Sequence, residues 1–184
     1  MPKGNKFEVF IQNNILRKIR LQYIARMINF FPIPKGTILD IGCMDDYLKS
    51  MLSKRYKYTG IDSEPLSTDG GIKKLSIEDL KDNEKFDIVI ATEVLEHLKN
   101  PVDAMEKIKR LAKQCIVISV PNEPFFSLFR FFIPAKEHLW TISPEALKMN
   151  LGEPFYESRF CFKRHYFGVW LKSSHKDLNT LNLI

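Results

Sequence analysis

The chain of 184 residues is 45% hydrophobic and 27% charged, with a formal net charge of +6, which suits one soluble domain with a sizeable core and leaves no room for a second. No uninterrupted apolar run reaches membrane-spanning length, and the opening Pro2, Lys3, Gly4 and Asn5 lack the apolar stretch of a secretory signal, so the expected setting is the cytoplasm. Cys43, Cys115 and Cys161 have no paired spacing; they fit a reducing compartment and exclude a zinc knuckle or a redox pair.

Residues 1–35 hold seven Lys or Arg against one acid, leaving 21 of each sign afterwards. Phe7, Phe10, Ile11, Ile15, Ile19, Tyr23, Met27 and Ile28 recur at near-helical spacing, with Arg17, Lys18, Arg20 and Arg26 mostly on other faces. A helix packed on the domain with a solvated basic side is expected; the sharper alternative is a contact surface for RNA, anionic lipid or an acidic partner.

Phe31-Pro32-Ile33-Pro34-Lys35-Gly36 breaks that pattern. Thr37 to Ile41 then reads as the first strand, Tyr47 to Lys54 as a helix, and Tyr58 to Ile61 as the second strand. Ser63 to Gly71 is polar and turn-rich, and Lys73 to Ile77 makes a short third strand. Phe86 to Ala91 and Cys115 to Val120 are continuous apolar runs, as strands buried on both faces of a parallel sheet require.

Between these two runs, Pro101 opens a helix to about Ala112. Pro124 to Pro134 carries five phenylalanines in eleven residues, and the insertion 124–140 is expected to be an aromatic lid or the wall of an apolar pocket. Ser143 and Pro144 cap and open another helix. Glu157 to Phe162 and Tyr166 to Leu171 form a closing hairpin, and 173–184 is a frayed tail. Alternating strands and helices followed by a hairpin make a three-layer α/β/α sandwich with a mostly parallel sheet.

Thr37-Ile38-Leu39-Asp40-Ile41-Gly42-Cys43-Met44-Asp45-Asp46, answered by Asp62 twenty residues after Gly42, carries the functional signal. In such sheets a ligand lies beyond the carboxyl ends of the strands; Gly42 lets backbone approach it, and Asp62 can accept hydrogen bonds from both ribose hydroxyls. A pyrophosphate needs several glycines and a helix start free of negative charge. Asp45 and Asp46 stand there instead, and no Gly-Lys-Ser/Thr follows, so a ribonucleoside without phosphates is favoured over a dinucleotide or triphosphate.

With ILDIGC, YTGID, FDIVIATEVLEHLKNP and CIVISVPNE in this order, the chain from about Gly36 to Lys172 resembles the class I S-adenosylmethionine-dependent methyltransferases, a small seven-stranded Rossmann-like family. The resemblance implies S-adenosylmethionine as donor, with Asp40 and Gly42 near its amino acid portion, Asp62 on the ribose, and Cys43, Met44 and Ser63 also among the donor-binding residues. It also places Ser76 and Ile77 at adenine, and Ala91 and Thr92 at the methionine portion. Met44 and Asp46 depart from it, standing where the family usually has its second and third glycines. A side chain there costs about 1 to 3 kcal/mol if the backbone must be left-handed, which keeps a non-catalytic donor-binding or scaffold relative as one alternative.

Methyl transfer asks mainly for an in-line approach and, where needed, removal of the acceptor's proton. His138, then Glu123 and His97, are the candidate bases. No metal is assigned. The lesser alternative is that Glu93, Glu96 and His97, on one helical face, join His138 around a divalent ion, as a similar motif does in small-RNA 3′-end methyltransferases. The expected reaction is methyl transfer to an oxygen or nitrogen of a small, apolar acceptor, with an RNA methyltransferase as the enzymatic alternative.

Overall fold

The computed structural model describes residues 6–30, 36–68, 71–122, 139–160 and 165–172, with side chains of the first helix from Ile15 onward. The described elements in chain order are α1 (Lys6–Phe30), β1 (Gly36–Ile41), α2 (Tyr47–Met51), β2 (Tyr56–Asp62), β3 (Ile72–Lys74), β4 (Phe86–Thr92), α3 (Pro101–Leu111), β5 (Ala112–Pro121), α4 (Pro144–Leu151), β6 (Tyr156–Phe160) and β7 (His165–Leu171), with a 3-10 turn, Leu95–His97, after β4. They form a seven-stranded sheet in the order β3-β2-β1-β4-β5-β7-β6. β7 is antiparallel to both β5 and β6, while the pairs from β3 to β5 are parallel. The order reverses between β1 and β4, which makes the carboxyl ends of those strands the place where loops diverge and a ligand crevice opens.

Consecutive apolar residues in the central strands go to opposite faces, so one tripeptide feeds two cores. Leu39, Ile41, Val89, Ala91, Ile116 and Ile118 meet α3 and α4 on one face. Ile38, Ile88, Ile90, Cys115, Val117, Phe167 and Val169 meet α1 and α2 on the other. That two-sided burial is the physical reason for the unbroken Ile88-Val89-Ile90 run.

The helix caps follow the sequence signals. Asn100 accepts the Asp103 N–H ahead of Pro101, and Ser143 accepts the Ala146 N–H ahead of Pro144. Helix α4 ends at Gly152, whose φ of 84° is left-handed.

Three expectations shift. The third strand is shorter than 73–77 and lies at Ile72–Lys74, with Ile77 buried in the turn beyond it. Helix α2 stops at Met51 instead of Lys54, where Asn29 of α1 accepts the Ser53 N–H and donates to the Met51 carbonyl. In return, the Tyr56 hydroxyl and the Arg55 guanidinium satisfy the last carbonyls of α1, at Ile28 and Asn29.

The apolar stripe of α1 is the third correction. Ile15 and Ile19 are about half exposed, whereas Leu21, Ile24, Ala25 and Ile28 are buried. The packed face is therefore 17, 21, 24 and 28, and it brings Arg17 and Arg20 inward instead of leaving them on a solvated side. The tail 173–184 and residues 123–138 of the aromatic insertion lie outside the described residues. Ile24→Ala should cost roughly 2 to 4 kcal/mol in urea unfolding because it empties a fully buried site, whereas Ile19→Ala should stay within about 0.5 kcal/mol.

Candidate functional site

At the end of β1 the chain turns sharply against the end of β2. Gly42 and Cys43 both donate to the Ile61 carbonyl, at 2.8 and 3.3 Å. Gly42 has φ 69°, and a Cβ there would lie 2.3 Å from Cγ2 of Val94, so this position needs glycine both for conformation and for space. Of the two residues standing at the family's other glycine positions, only Met44 adopts a left-handed backbone, with φ 62°; Asp46 has an ordinary φ of −89°.

Met44 is held in that conformation from both sides. Its N–H donates to Oδ2 of Asp62 at 2.8 Å, and its carbonyl accepts the Leu66 N–H at 2.9 Å. Oδ1 of Asp62 accepts the Glu64 N–H at 2.8 Å. Two amides thus fix this carboxylate at the carboxyl end of β2, and a carboxylate has about four acceptor sites, so capacity remains for a ligand.

Asp45 is not the bare negative charge that the sequence suggests. Arg17 grips it in a fork, with contacts of 2.9 and 2.6 Å, and also donates to the Cys43 carbonyl at 3.2 Å. Burial opposes charge on Asp45, but the Arg17 bonds and the Tyr47 N–H outweigh it and hold its carboxyl below the usual range.

Asp40, beneath the loop, is 2% exposed. The Tyr58 hydroxyl donates to its Oδ2 at 2.7 Å, while Oδ1 is buried with no hydrogen-bond partner among the described residues. Burial pushes this carboxyl up to about 7, against the lowering effects of Tyr58 and Arg17. A buried acid with an unused acceptor suits a ligand that brings N–H donors or positive charge. Burial first, then the nearby Asp40 and Asp62, also pushes the Cys43 thiol up to about 12, so it packs as an inert neutral group.

Ala91 and Thr92 end β4 and are buried at the same edge. Glu93, the next residue, has a left-handed φ of 54°, and only a 3-10 turn follows. Glu93, Glu96 and His97 therefore do not share one face of an α-helix. The Glu93 carboxylate turns under α1 and β7, accepting from the Ser119 hydroxyl at 3.1 Å and facing Nδ1 of His165 at 3.1 Å and Arg20 at 3.6 Å. Burial opposes its charge, but His165, Arg20 and Ser119 together hold its pKa below the usual range. Glu96 is buried and His97 exposed. Among the described residues no group of three His, Cys, Asp or Glu could hold a metal ion.

His138 and Glu123 lie outside the described residues. Ser63 is exposed beside Asp62. Ser76 is engaged with Asp79, donating at 2.9 Å, and Ile77 is buried next to it. Ile77 also lines a cavity of about 420 Å³ against Asn100, Asp103, Lys107 and Arg110 of the α3 region; Gly42, Asp40 and Asp62 are absent from that lining, so it is separate from the crevice. Sequence reading missed Arg17 and Arg20 as parts of this edge, although both fall in phase with Leu21, Ile24 and Ile28. It also missed His165, which only the β5–β7 register of Pro121 with His165 brings to the end of β5.

Asp40 gives a pH test. Its folded pKa lies above the ordinary 3.8, so the folded state binds the extra proton; the contribution is full below about pH 4 and is lost as pH rises through about 7. Asp40→Asn should therefore gain stability relative to the parent between pH 4 and 8, by up to about 4 kcal/mol on the full shift, and match it at pH 4. Urea titrations across that range check it. Met44→Gly should relieve the left-handed strain and raise stability by about 0.5 to 1 kcal/mol, the remainder being offset by glycine's extra unfolded freedom.

A family model for the methyltransferase domain matches residues 16–153. Among curated relatives, the ubiquinone biosynthesis O-methyltransferase of Rickettsia canadensis (strain McKiel) is 32% identical over 100 residues, 46% of this chain and 42% of that one. The protein of the same name from Alkalilimnicola ehrlichii is 26% identical over 147 residues, 71% and 58% of the two chains. The chain thus spans about half the length of the curated relatives it matches.

Magnesium protoporphyrin IX methyltransferase from Synechocystis PCC 6803, solved with bound S-adenosylhomocysteine, superposes with a TM-score of 0.69 at 13% identity, covering 94% of this chain and 90% of its own. The N-methyltransferase NodS from Bradyrhizobium japonicum WM9, also solved with S-adenosylhomocysteine, gives 0.59 at 15% identity over 85% and 86% of the chains. The comparisons give no support to an RNA partner, and no described helix is long and apolar enough to cross a membrane. With its sheet order, its antiparallel β7 and a family match over most of its length, the chain belongs to the methyltransferase domain family and has the Rossmann-like fold of class I S-adenosylmethionine-dependent methyltransferases.

Proposed function

We propose that the protein transfers a methyl group from S-adenosylmethionine to an oxygen of a small, apolar acceptor. The observation that carries this reading is the Asp62 carboxylate, fixed by the Met44 and Glu64 amides at 2.8 Å each beside the Gly42 turn. Its remaining acceptor capacity suits a ribose diol, which donates two hydrogen bonds. Asp40 with its unused Oδ1 suits the amino acid end, Cys43, Met44 and Ser63 border the ligand, Ser76 and Ile77 flank adenine, and Ala91 and Thr92 approach the methionine portion. When bound, the donor supplies the methyl group as a sulfonium; the chain's residues hold it, align it and keep water away.

Oxygen is favoured over nitrogen by the names of the curated relatives. An apolar acceptor is supported by Leu139 and Trp140, which are 60% and 47% exposed. Both are pinned to the turn beyond β4, where the Glu96 backbone carbonyl accepts their N–H groups at 2.8 and 3.2 Å and the Trp140 indole donates to the Leu98 carbonyl. The non-catalytic alternative loses ground because Met44 retains the backbone geometry that a glycine would provide. The free, buried thiols Cys43 and Cys115 suit work in the reducing cytoplasm.

Calorimetry and thermal shift with S-adenosylmethionine, S-adenosylhomocysteine and NAD test the donor. Either sulfur nucleoside at a hundred times its Kd should add about 2.7 kcal/mol of stability, and NAD should add none. Asp62→Ala should weaken donor binding at least tenfold, since hydrogen bonds to a charged group are worth about 1.5 to 3 kcal/mol. Preference for NAD, or an unchanged Kd in Asp62→Ala, would reject the assignment.

A further inference from the structure

The pair Glu93 and His165 sits at the same sheet edge as the crevice, yet no motif in the sequence marks His165. Strand β7 is antiparallel, so its first residue lies beside the end of β5, opposite Pro121. Glu93 follows β4 directly in a left-handed conformation. That backbone is sparsely populated for a glutamate. Here it aims the carboxylate at Nδ1 of His165, 3.1 Å away.

The ring is held on its flat face as well. Phe160 stacks on His165 with centroids 5.4 Å apart, and Tyr23 stacks on Phe160 at 5.2 Å. The other groups facing the pair are Arg20, at 3.6 Å from the carboxylate, and the Ser119 hydroxyl. About 13% of the His165 side chain remains exposed, and Nε2 has no hydrogen-bond partner among the described residues.

An ionised carboxylate only accepts, so the contact at Nδ1 requires a proton there; in neutral imidazole the lone pair is then on Nε2. Arg20 and Ser119 favour the ionised carboxylate and keep it from taking that proton. We infer that His165 is the proton acceptor for the hydroxyl to be methylated, with Glu93 as its positioning residue. The inference rests on the methyl-transfer reading and names a base which that reading leaves open.

The step balances without a further reagent. As the acceptor oxygen forms its bond to the methyl carbon, the carbon–sulfur bond breaks and its electron pair returns to sulfur. The hydroxyl proton moves to Nε2 of His165, and afterwards to solvent.

Two measurements decide it. In ¹⁵N-labelled protein above pH 8, the imidazole nitrogen shifts of His165 should show the proton on Nδ1, and in Glu93→Gln the preference should relax towards Nε2–H. For turnover, catechol and the more acidic 4-nitrocatechol serve as acceptors, read as S-adenosylhomocysteine formed. His165→Ala and His165→Gln should lower kcat on catechol by about a hundredfold or more and remove the acidic limb of the pH–rate profile. They should lose far less on 4-nitrocatechol, whose proton leaves more readily, and keep the parent's Kd for the donor.

A parent His165 carrying its proton on Nε2 would overturn the inference. So would variants that turn over both catechols at the parent's rate with an unchanged profile. Failure of S-adenosylmethionine to bind is a different result and removes the donor reading itself; full donor affinity with no loss of rate in His165→Ala removes only this base.

Discussion

One hydrogen bond, from the Met44 N–H to the Asp62 carboxylate, sets the geometry on which the crevice depends. It joins the loop after β1 to the end of β2 at 2.8 Å, while the Gly42 and Cys43 amides hold the Ile61 carbonyl from the other side. The left-handed Met44 costs about 1 to 3 kcal/mol. A hydrogen bond to a charged group contributes about 1.5 to 3 kcal/mol, and the Leu66 amide adds a second bond to the same residue. The two magnitudes are comparable, so the strained residue can persist without the glycine that usually relieves it.

Helix α1 is part of the same edge. Its packed face continues from Ile28, Ile24 and Leu21 to Arg17 and Arg20, which meet Asp45 and Glu93 in the loops after β1 and β4. Those are the strands between which the sheet order reverses. The N-terminal basic excess is thus spent partly inside the fold, where a cation paired with a buried acid matters more than a solvated one. Removing either arginine takes the guanidinium partner from a carboxylate at this sheet edge, so α1 contributes electrostatically there as well as covering the sheet.

The sheet was legible because two-sided burial writes itself as continuous apolar runs, and because Asn100, Ser143 and the prolines after them mark helix starts. The loop was legible from Gly42 and Asp62, including the possibility that a residue at a lost glycine position is left-handed; which one, Met44 rather than Asp46, needed coordinates. Periodicity misled at two places. Five residues from Glu93 to His97 are too few to separate an α-helix from a left-handed residue and a 3-10 turn. In α1 the stripe drawn through Ile15 and Ile19 ignored arginines because charge usually marks the solvent face. His165 lies 72 residues from Glu93, and no local pattern encodes a contact that an antiparallel register creates.

Met44 and Glu93 are the only non-glycine residues with positive φ among those described; Met44 lies three residues past the end of β1 and Glu93 directly follows β4, the two strands flanking the reversal in sheet order. Strain placed there is informative because it could have been relieved at little cost by glycine or asparagine. At Met44 the backbone amide is what the conformation delivers, aimed at Asp62. At Glu93 it is the side chain, aimed at His165 and Arg20 through a largely enclosed carboxylate whose side chain is 14% exposed. A packing role alone would not call for an ionised group in a sparsely populated conformation within reach of an imidazole at the crevice edge. The two residues thus divide the edge between them, one fixing the backbone of the loop after β1 against Asp62 and the other fixing the ring of His165.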